Sequence, residues 1–94
     1  MEQPVASVQK RVTIVNVKGL HARASAMFAS KALEYRSEIT VTKDDTTVNG
    51  TSIMGLLLLA AHVGQSILIA ADGPDAVEAL AALEDLVARK FGEK

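Results

Sequence analysis

The sequence predicts an α/β (α+β) domain in which helices cover one face of a four-stranded sheet. The chain has 94 residues, which suffice for one domain, and 49% of them are apolar, which supplies a hydrophobic core. Short segments of alternating apolar and polar residues are interspersed with segments of helical periodicity. Their order is β-α-β-β-α-β-α, which a single sheet with helices on one face accommodates.

A tail precedes the first strand and the first helix. We expect residues 1–8 to form an N-terminal tail and residues 9–94 to form a single domain. Residues 10–17 alternate and include several β-branched side chains, so they predict a strand, which Gly19 interrupts. Apolar residues with helical spacing then predict a helix over residues 22–33.

A hairpin and a short helix follow in the middle of the chain. Residues 37–43 alternate again, and Asp44 and Asp45 supply a turn into a short return strand over residues 46–49. The apolar residues after this hairpin predict a short helix over residues 53–60.

The last strand and the last helix are separated by a turn. Residues 66–71 form an alternating, strongly apolar segment, and residues 72–75 are typical of a turn. Pro74 lies near the start of a predicted helix over residues 76–90, where its fixed φ favours helix entry. Acidic residues early in this helix and basic residues late in it suit the helix dipole.

The core is expected to draw on apolar positions from every element. On the last helix, one stripe is predicted to comprise Val77, Leu80, Ala81, Leu83, Leu86 and Val87. The predicted core residues are Val12, Ile14, Phe28, Leu33, Ile39, Val41, Ile67, Ile69, Leu80, Leu83 and Leu86.

Composition excludes several classes of function. The net charge of −1 gives no indication of nucleic-acid binding. The chain contains no cysteine, which rules out disulfides and thiolate chemistry and leaves the cytoplasm as the expected location. The longest apolar run, residues 56–61, is too short to cross a membrane, and residues 1–8 lack the pattern of a signal peptide, so we expect no membrane insertion.

The most informative segment comprises residues 19–25, between the first strand and the first helix. A helix start exposes unpaired backbone N–H groups and carries a partial positive charge, so it favours anions such as phosphate. His21 lies at this junction, and Arg23 follows two residues later. A neutral imidazole there can attack a phosphoryl group, and Arg23, the Ala22 amide and the Ser25 hydroxyl can stabilise the phosphohistidine.

Each histidine also has a plainer interpretation. His21 would then only cap the helix or lie on the surface, although its position beside Arg23 favours the nucleophile. His62 follows a helix with no carboxylate nearby, so we expect a surface or loop-packing role. The two histidines lack the spacing of a metal site, and we expect neither a metal nor a cofactor.

Residues 19–23 (Gly-Leu-His-Ala-Arg) resemble the active-site segment of the HPr family, the histidine phosphocarriers of the phosphoenolpyruvate-dependent phosphotransferase system. Residues 48–55 resemble that family's second signature, around its regulatory serine. The resemblance implies an open-faced β-sandwich whose four antiparallel strands lie in the order 1-4-2-3. It also implies that Enzyme I phosphorylates His21 on Nδ1 and that an EIIA-type protein receives the phosphate.

Two sequence features refine this resemblance. Ala24 stands where the family commonly has a proline, and because alanine is a good helix former we expect the helix to be kept. Residues 54–61 and 71–74 resemble the nitrogen-related branch, NPr. Sugar transport and the nitrogen-related system both remain open as the destination of the phosphate.

Ser52 is predicted to cap the second helix, because a hydroxyl at that position accepts a hydrogen bond from a first-turn amide. By resemblance, Ser52 is also the residue that HPr kinase/phosphorylase modifies in some bacteria. The physics is compatible with both roles, since a phosphate dianion is favoured at a helix N-terminus.

The second helix has more apolar residues than one buried stripe accommodates, so some of them must face outward. We expect Ile53, Met54 and Leu57 to contact Enzyme I and EIIA, with Arg23 and Lys31 supplying charge.

Three functions are therefore weighed. The first is a monomeric phosphocarrier, a substrate of kinases rather than an enzyme, that cycles phosphate on His21. The second is an ACT-like sensor that binds a small anion at the helix start, and the third is a regulatory binding module that acts through phosphorylation of Ser52. Only the first makes use of the pair formed by His21 and Arg23.

Overall fold

The structure, a computed structural model, describes residues 6–93. In that range it contains four strands, three α-helices and a C-terminal 3-10 turn. The elements are β1 (Ala6–Thr13), α1 (Ala22–Ala32), β2 (Glu38–Lys43), β3 (Thr46–Asn49), α2 (Ile53–Leu59), β4 (Ser66–Gly73), α3 (Ala76–Ala88) and the 3-10 turn (Lys90–Gly92).

The strands form one antiparallel sheet in the order β1-β4-β2-β3, so β4 lies between β1 and β2. Val12 pairs with Ile67 across β1 and β4, and Val41 pairs with Ile69 across β2 and β4. These side chains are buried. Helices α2 and α3 contact the sheet, and α1 packs against both of them. The predicted fold class and strand order are confirmed.

Strand β1 begins and ends four residues earlier than the predicted range of 10–17. Its partner β4 extends from Ser66 to Gly73, and it pairs with β1 from Thr13 back to Ala6. Beyond Thr13, the backbone of Ile14 still bonds to Gln65 and Gly64, which precede β4, and the chain then turns at residues 16–18. The prediction of a tail is therefore wrong for residues 6–8, which belong to the strand, while residues 1–5 lie outside the described residues.

Three residues that were predicted for the core or for the buried stripe of the last helix are exposed instead. Leu33, the C-cap residue of α1, is 69% exposed. Val77 is 58% exposed, and Ala81 is also exposed, whereas Leu80 is half-buried. The stripe of α3 that is buried starts one residue earlier than predicted and comprises Ala76, Ala79, Leu83, Leu86 and Val87.

The C-terminal segment folds back on the domain, which the predicted helix over 76–90 does not anticipate. Helix α3 ends at Ala88, and Lys90 and Phe91 then adopt positive φ values of 59° and 54°. Phe91 is only 2% exposed and joins the hydrophobic core. This reversal brings Glu93 back to the loop that precedes α1.

Candidate functional site

His21 lies at the N-cap of α1, after a tight turn. The Gly19 N–H donates to the Asn16 carbonyl at 3.1 Å, and the Leu20 N–H donates to the Ala61 carbonyl at 2.9 Å. These two bonds fix the loop that presents His21. The imidazole makes no capping hydrogen bond and is 28% exposed, so the interpretation of His21 as a simple side-chain cap is not supported.

The first turn of α1 provides an anion site beside this imidazole. The Ser25 N–H makes the first intrahelical bond, to the His21 carbonyl at 2.9 Å. The amides of Ala22, Arg23 and Ala24 therefore have no acceptor within the helix. The positive end of the helix dipole lies at the same place, and Ala22 and Arg23 are exposed. A phosphoryl group on His21 would meet these donors.

Arg23 is available to bind an anion. Its side chain is exposed and lines a shallow depression together with Val17, Lys18, Gly92 and Glu93. Across residues 6–93, no ion pair ties its guanidinium to a carboxylate. Arginine presents several donors in a fixed fork, which matches the geometry of phosphate oxygens.

The predicted contact of the Ser25 hydroxyl with phosphate is wrong. Ser25 is fully buried, and its Oγ donates to the Leu20 carbonyl at 3.2 Å. A hydroxyl that is committed inside the core cannot reach a group on the exposed imidazole. Ser25 instead fastens the residue before His21 to the first turn of the helix.

Glu93 is a site residue that sequence reasoning missed. Its Oε2 lies 3.6 Å from Nε2 of His21 and accepts a hydrogen bond from Nδ2 of Asn16 at 3.0 Å. Its Oε1 accepts from the Lys18 N–H at 3.3 Å. Nδ2 of the fully buried Asn16 also donates to the Gly19 carbonyl at 2.9 Å. In the sequence, the only hint of the contact with Glu93 is the amide side chain of Asn16 within a segment of β-branched residues.

The hydrogen bond from Asn16 holds the pKa of Glu93 below its ordinary value of 4.5. The Lys18 amide, the Lys18 charge and, when its ring is protonated, His21 act in the same direction, and desolvation opposes them. Glu93 is therefore ionised at neutral pH and can only accept hydrogen bonds. Because its pKa is lowered on folding, this carboxylate stabilises the fold above pH 4.5, and the effect is lost as pH falls through the folded-state pKa.

Ser52 caps α2, as predicted. Its Oγ accepts a hydrogen bond from the Gly55 N–H at 3.0 Å, and its backbone is extended, as at a typical N-cap. The hydroxyl thus satisfies one of the first-turn amides of a helix of only seven residues.

Replacing Ser52 with alanine is expected to lower the free energy of unfolding by about 1 kcal/mol, because the Gly55 amide loses its acceptor. Urea denaturation followed by circular dichroism measures the change. Ser52→Thr keeps a capping hydroxyl and serves as the control. Equal stability of the alanine variant and the wild type would contradict the role of the cap.

Helix α2 exposes part of its apolar surface, as predicted. Met54 is 68% exposed and Leu58 is 75% exposed, while Ile53 is also exposed and Leu57 is half-buried. Because α1 and α2 pack against each other, this patch lies on the element next to the one that carries His21. Leu58 also belongs to the patch, although it is not among the predicted contact residues.

Lys31 differs from Arg23 in being paired. Its Nζ lies 3.3 Å from Oε2 of Glu34, one helical turn away. His62 is exposed, as expected of a surface residue, and its backbone N–H donates to Oε1 of Gln65 at 2.7 Å. Among the residues from 6 to 93, no cluster of three potential metal-ligating side chains forms. None of the helices in this range is long and apolar enough to cross a membrane.

Comparisons with known proteins identify relatives over nearly the whole chain. The family model described as the PTS HPr component phosphorylation site matches residues 8–89. The phosphocarrier protein HPr of Neisseria meningitidis serogroup A is 49% identical over 86 residues, which cover 92% of this chain and 97% of that protein. The phosphocarrier protein NPr of Shewanella violacea is 38% identical over 89 residues, which cover 95% and 98%, respectively.

The fold agrees equally well with a solved structure. The crystal structure of HPr-C-His from Thermoanaerobacter tengcongensis matches with a TM-score of 0.89 at 41% identity, covering 93% of this chain and 98% of that one. The likeness in sequence and in fold thus extends over nearly the whole chain. This chain belongs to the HPr family of phosphocarrier proteins of the phosphotransferase system, which are carriers rather than catalysts.

Proposed function

We propose that this chain accepts a phosphoryl group from phosphorylated Enzyme I on Nδ1 of His21 and passes it to an EIIA-type protein. The observation that carries the proposal is the partly exposed imidazole of His21 at the N-terminus of α1, two residues before Arg23, whose guanidinium forms no ion pair within residues 6–93. The relatives include both an HPr and an NPr, so the acceptor belongs either to sugar transport or to the nitrogen-related system.

The transfer needs positioning and electrostatics more than further covalent chemistry. The lone pair of Nδ1 forms a bond to phosphorus while the bond between phosphorus and the donor nitrogen breaks, and that electron pair returns to the donor. The amides of Ala22 and Arg23, together with the Arg23 guanidinium, stabilise the phosphoryl oxygens. Passing the phosphate on reverses these steps at a new acceptor nitrogen.

A monomer suffices for this chemistry, because one chain contributes all of these groups. We place the carrier in the cytoplasm, where phosphoenolpyruvate, the ultimate phosphoryl donor, is produced.

Intact-mass analysis after incubation with phosphoenolpyruvate, Mg²⁺ and the cognate Enzyme I tests the proposal. We expect one acid-labile phosphoryl group on the wild type and none on His21→Ala. The matched control is His62→Ala, which changes an exposed histidine outside the site and should be phosphorylated like the wild type. An unmodified wild type, or a phosphorylated His21→Ala variant, would overturn the proposal and favour an anion sensor or a regulatory module.

The α2 patch, defined as Ile53, Met54, Leu57 and Leu58, is proposed to dock Enzyme I and EIIA. Met54→Glu places a charge in the middle of this apolar surface, and we expect phosphorylation by Enzyme I to slow by about tenfold, or about 1.4 kcal/mol. Single-turnover phosphorylation at subsaturating Enzyme I measures the rate. Val77→Glu, an equally drastic change at an exposed position of α3, is the control. Equal rates for the two variants would place the docking surface elsewhere.

Ser52 is proposed as a second phosphorylation site, for HPr kinase/phosphorylase with ATP. The capping geometry supports it, because Oγ already lies against the Gly55 amide at the start of α2, where added negative charge is favoured. The kinase should label the wild type and leave Ser52→Ala unlabelled. Label that persists in the variant would exclude this residue.

A further inference from the structure

We propose that Glu93 is a positioning residue that holds His21 in the tautomer whose proton is on Nε2, which leaves the Nδ1 lone pair free to attack phosphorus. This inference rests on the proposed phosphocarrier function and assigns a role to a residue 72 positions away from the His-x-Arg segment (93 minus 21).

The geometry selects one nitrogen of the ring. The ion-pair contact of Glu93 is with Nε2, at 3.6 Å from Oε2. A carboxylate repels a lone pair and attracts an N–H, so the tautomer protonated on Nε2 is favoured. The distance is longer than a hydrogen bond, and catalytic contacts of this kind commonly tighten when the partner binds.

The carboxylate is itself held in place from two sides. Asn16 Nδ2 donates to Oε2 and the Lys18 N–H donates to Oε1, so both oxygens of Glu93 are oriented by the loop that presents His21. The second bond of Asn16, to the Gly19 carbonyl, joins the same side chain to the turn before His21. The buried Phe91, two residues before Glu93, anchors the segment that carries this carboxylate. Partners that orient a histidine in this way resemble the acid of a catalytic triad.

The proton balance of the transfer favours this arrangement. When Nδ1 bonds to phosphorus, the Nε2 proton stays on the ring, which becomes cationic. The ionised Glu93 carboxylate then faces that positive charge and stabilises it. When the bond from Nδ1 to phosphorus breaks, its electron pair returns to Nδ1 and the neutral tautomer is restored. No proton has to enter or leave the site in either direction.

Two measurements on the full chain test this role. Long-range ¹H–¹⁵N NMR spectra of the imidazole report the tautomer directly, without any partner protein. We expect the neutral wild-type ring to be protonated mainly on Nε2. In Glu93→Gln, the amide can donate to Nε2, so the population should shift toward the tautomer protonated on Nδ1. Glu78→Gln removes the same charge from an exposed position on α3 and should leave the tautomer unchanged.

The second measurement is single-turnover phosphorylation by phospho-Enzyme I at saturating concentration. We expect Glu93→Gln to be slower by about tenfold to a hundredfold, as is typical when a group that orients a reactive histidine is removed. Glu93→Asp keeps the negative charge but has a shorter side chain, so its phosphorylation rate should lie between those of the wild type and Glu93→Gln. An unchanged tautomer in Glu93→Gln, or a shifted tautomer with an unchanged rate, would overturn the inference.

The two proposals fail in different ways. If the wild type is not phosphorylated at His21, the proposed function is wrong, while the NMR result still decides whether Glu93 sets the tautomer. If the wild type is phosphorylated normally and Glu93→Gln behaves like Glu78→Gln, only the role of Glu93 is rejected.

Discussion

Gly19→Ala is expected to destabilise the fold by about 3 kcal/mol and to slow phosphorylation of His21 strongly. Gly19 has a φ of +65°, where an L-residue with a Cβ is strained by about 1–2 kcal/mol. A Cβ built at Gly19 would lie 2.3 Å from the Ala61 carbonyl oxygen and 3.1 Å from the His62 Cα. Both are backbone atoms that cannot rotate away, so overpacking adds about 1–3 kcal/mol.

The expected effect on function follows from the hydrogen bond that the close approach of Gly19 to Ala61 permits. The Leu20 N–H donates to the same Ala61 carbonyl at 2.9 Å, and it is the contact that seats the residue before His21. An alanine would push the loop away from Ala61 and move the imidazole relative to the first-turn amides of α1. Phosphoryl transfer depends steeply on such positioning, so we expect a loss of tenfold or more in the single-turnover rate.

Gly64→Ala is a matched control for this prediction. Gly64 also has positive φ, at +89°, but a Cβ there meets no atom of residues 6–93 within 4 Å. It therefore carries the conformational cost without the clash, and urea denaturation should show a smaller loss, of about 1–2 kcal/mol. If both variants lose the same stability and both keep the wild-type rate, the approach of Gly19 to Ala61 has no role in seating His21.

The fold could be predicted because its signals are local. Alternation over residues 37–43 and 66–71 reflects one buried face of a sheet, and this periodicity does not depend on distant partners. The ends of the elements do depend on partners. Strand β1 begins at Ala6 because β4 continues to Gly73, and this register cannot be deduced from either segment alone.

The residues of the candidate site also divide into those that local sequence brings together and those that depend on distant contacts. His21, Arg23 and the amides of α1 lie in one short segment, so the sequence pattern brings them together. Glu93 reaches His21 only because two non-glycine residues, Lys90 and Phe91, take positive φ values. Such conformations are unfavourable locally and are maintained here by burial of Phe91, which is a tertiary effect. The prediction for the Ser25 hydroxyl is wrong because sequence spacing does not show which direction a first-turn side chain faces.

Phe91→Ala is expected to lower the free energy of unfolding by about 3–5 kcal/mol, the usual cost of removing a buried aromatic ring. Phe91 is only 2% exposed, and the burial of its ring offsets the unfavourable backbone at Lys90 and Phe91. Without the ring, the 3-10 turn loses its anchor. Glu93 should then leave the vicinity of His21, so the variant should also show the imidazole tautomer shift and slower phosphorylation expected of Glu93→Gln.

Phe91→Leu separates the two consequences. Leucine retains an apolar anchor of somewhat smaller volume, so we expect a loss of about 1–2 kcal/mol with the tautomer and the phosphorylation rate kept near the wild type. Urea denaturation gives the stabilities, and NMR of the ring and single-turnover phosphorylation give the state of the site. A Phe91→Ala variant that is destabilised yet retains the wild-type tautomer and rate would show that Glu93 does not need the buried ring. No atom of Phe91 is needed for phosphoryl transfer itself. If the tautomer and the rate change in Phe91→Ala as they do in Glu93→Gln, and stay near the wild type in Phe91→Leu, the C-terminal turn therefore supports the chemistry of His21.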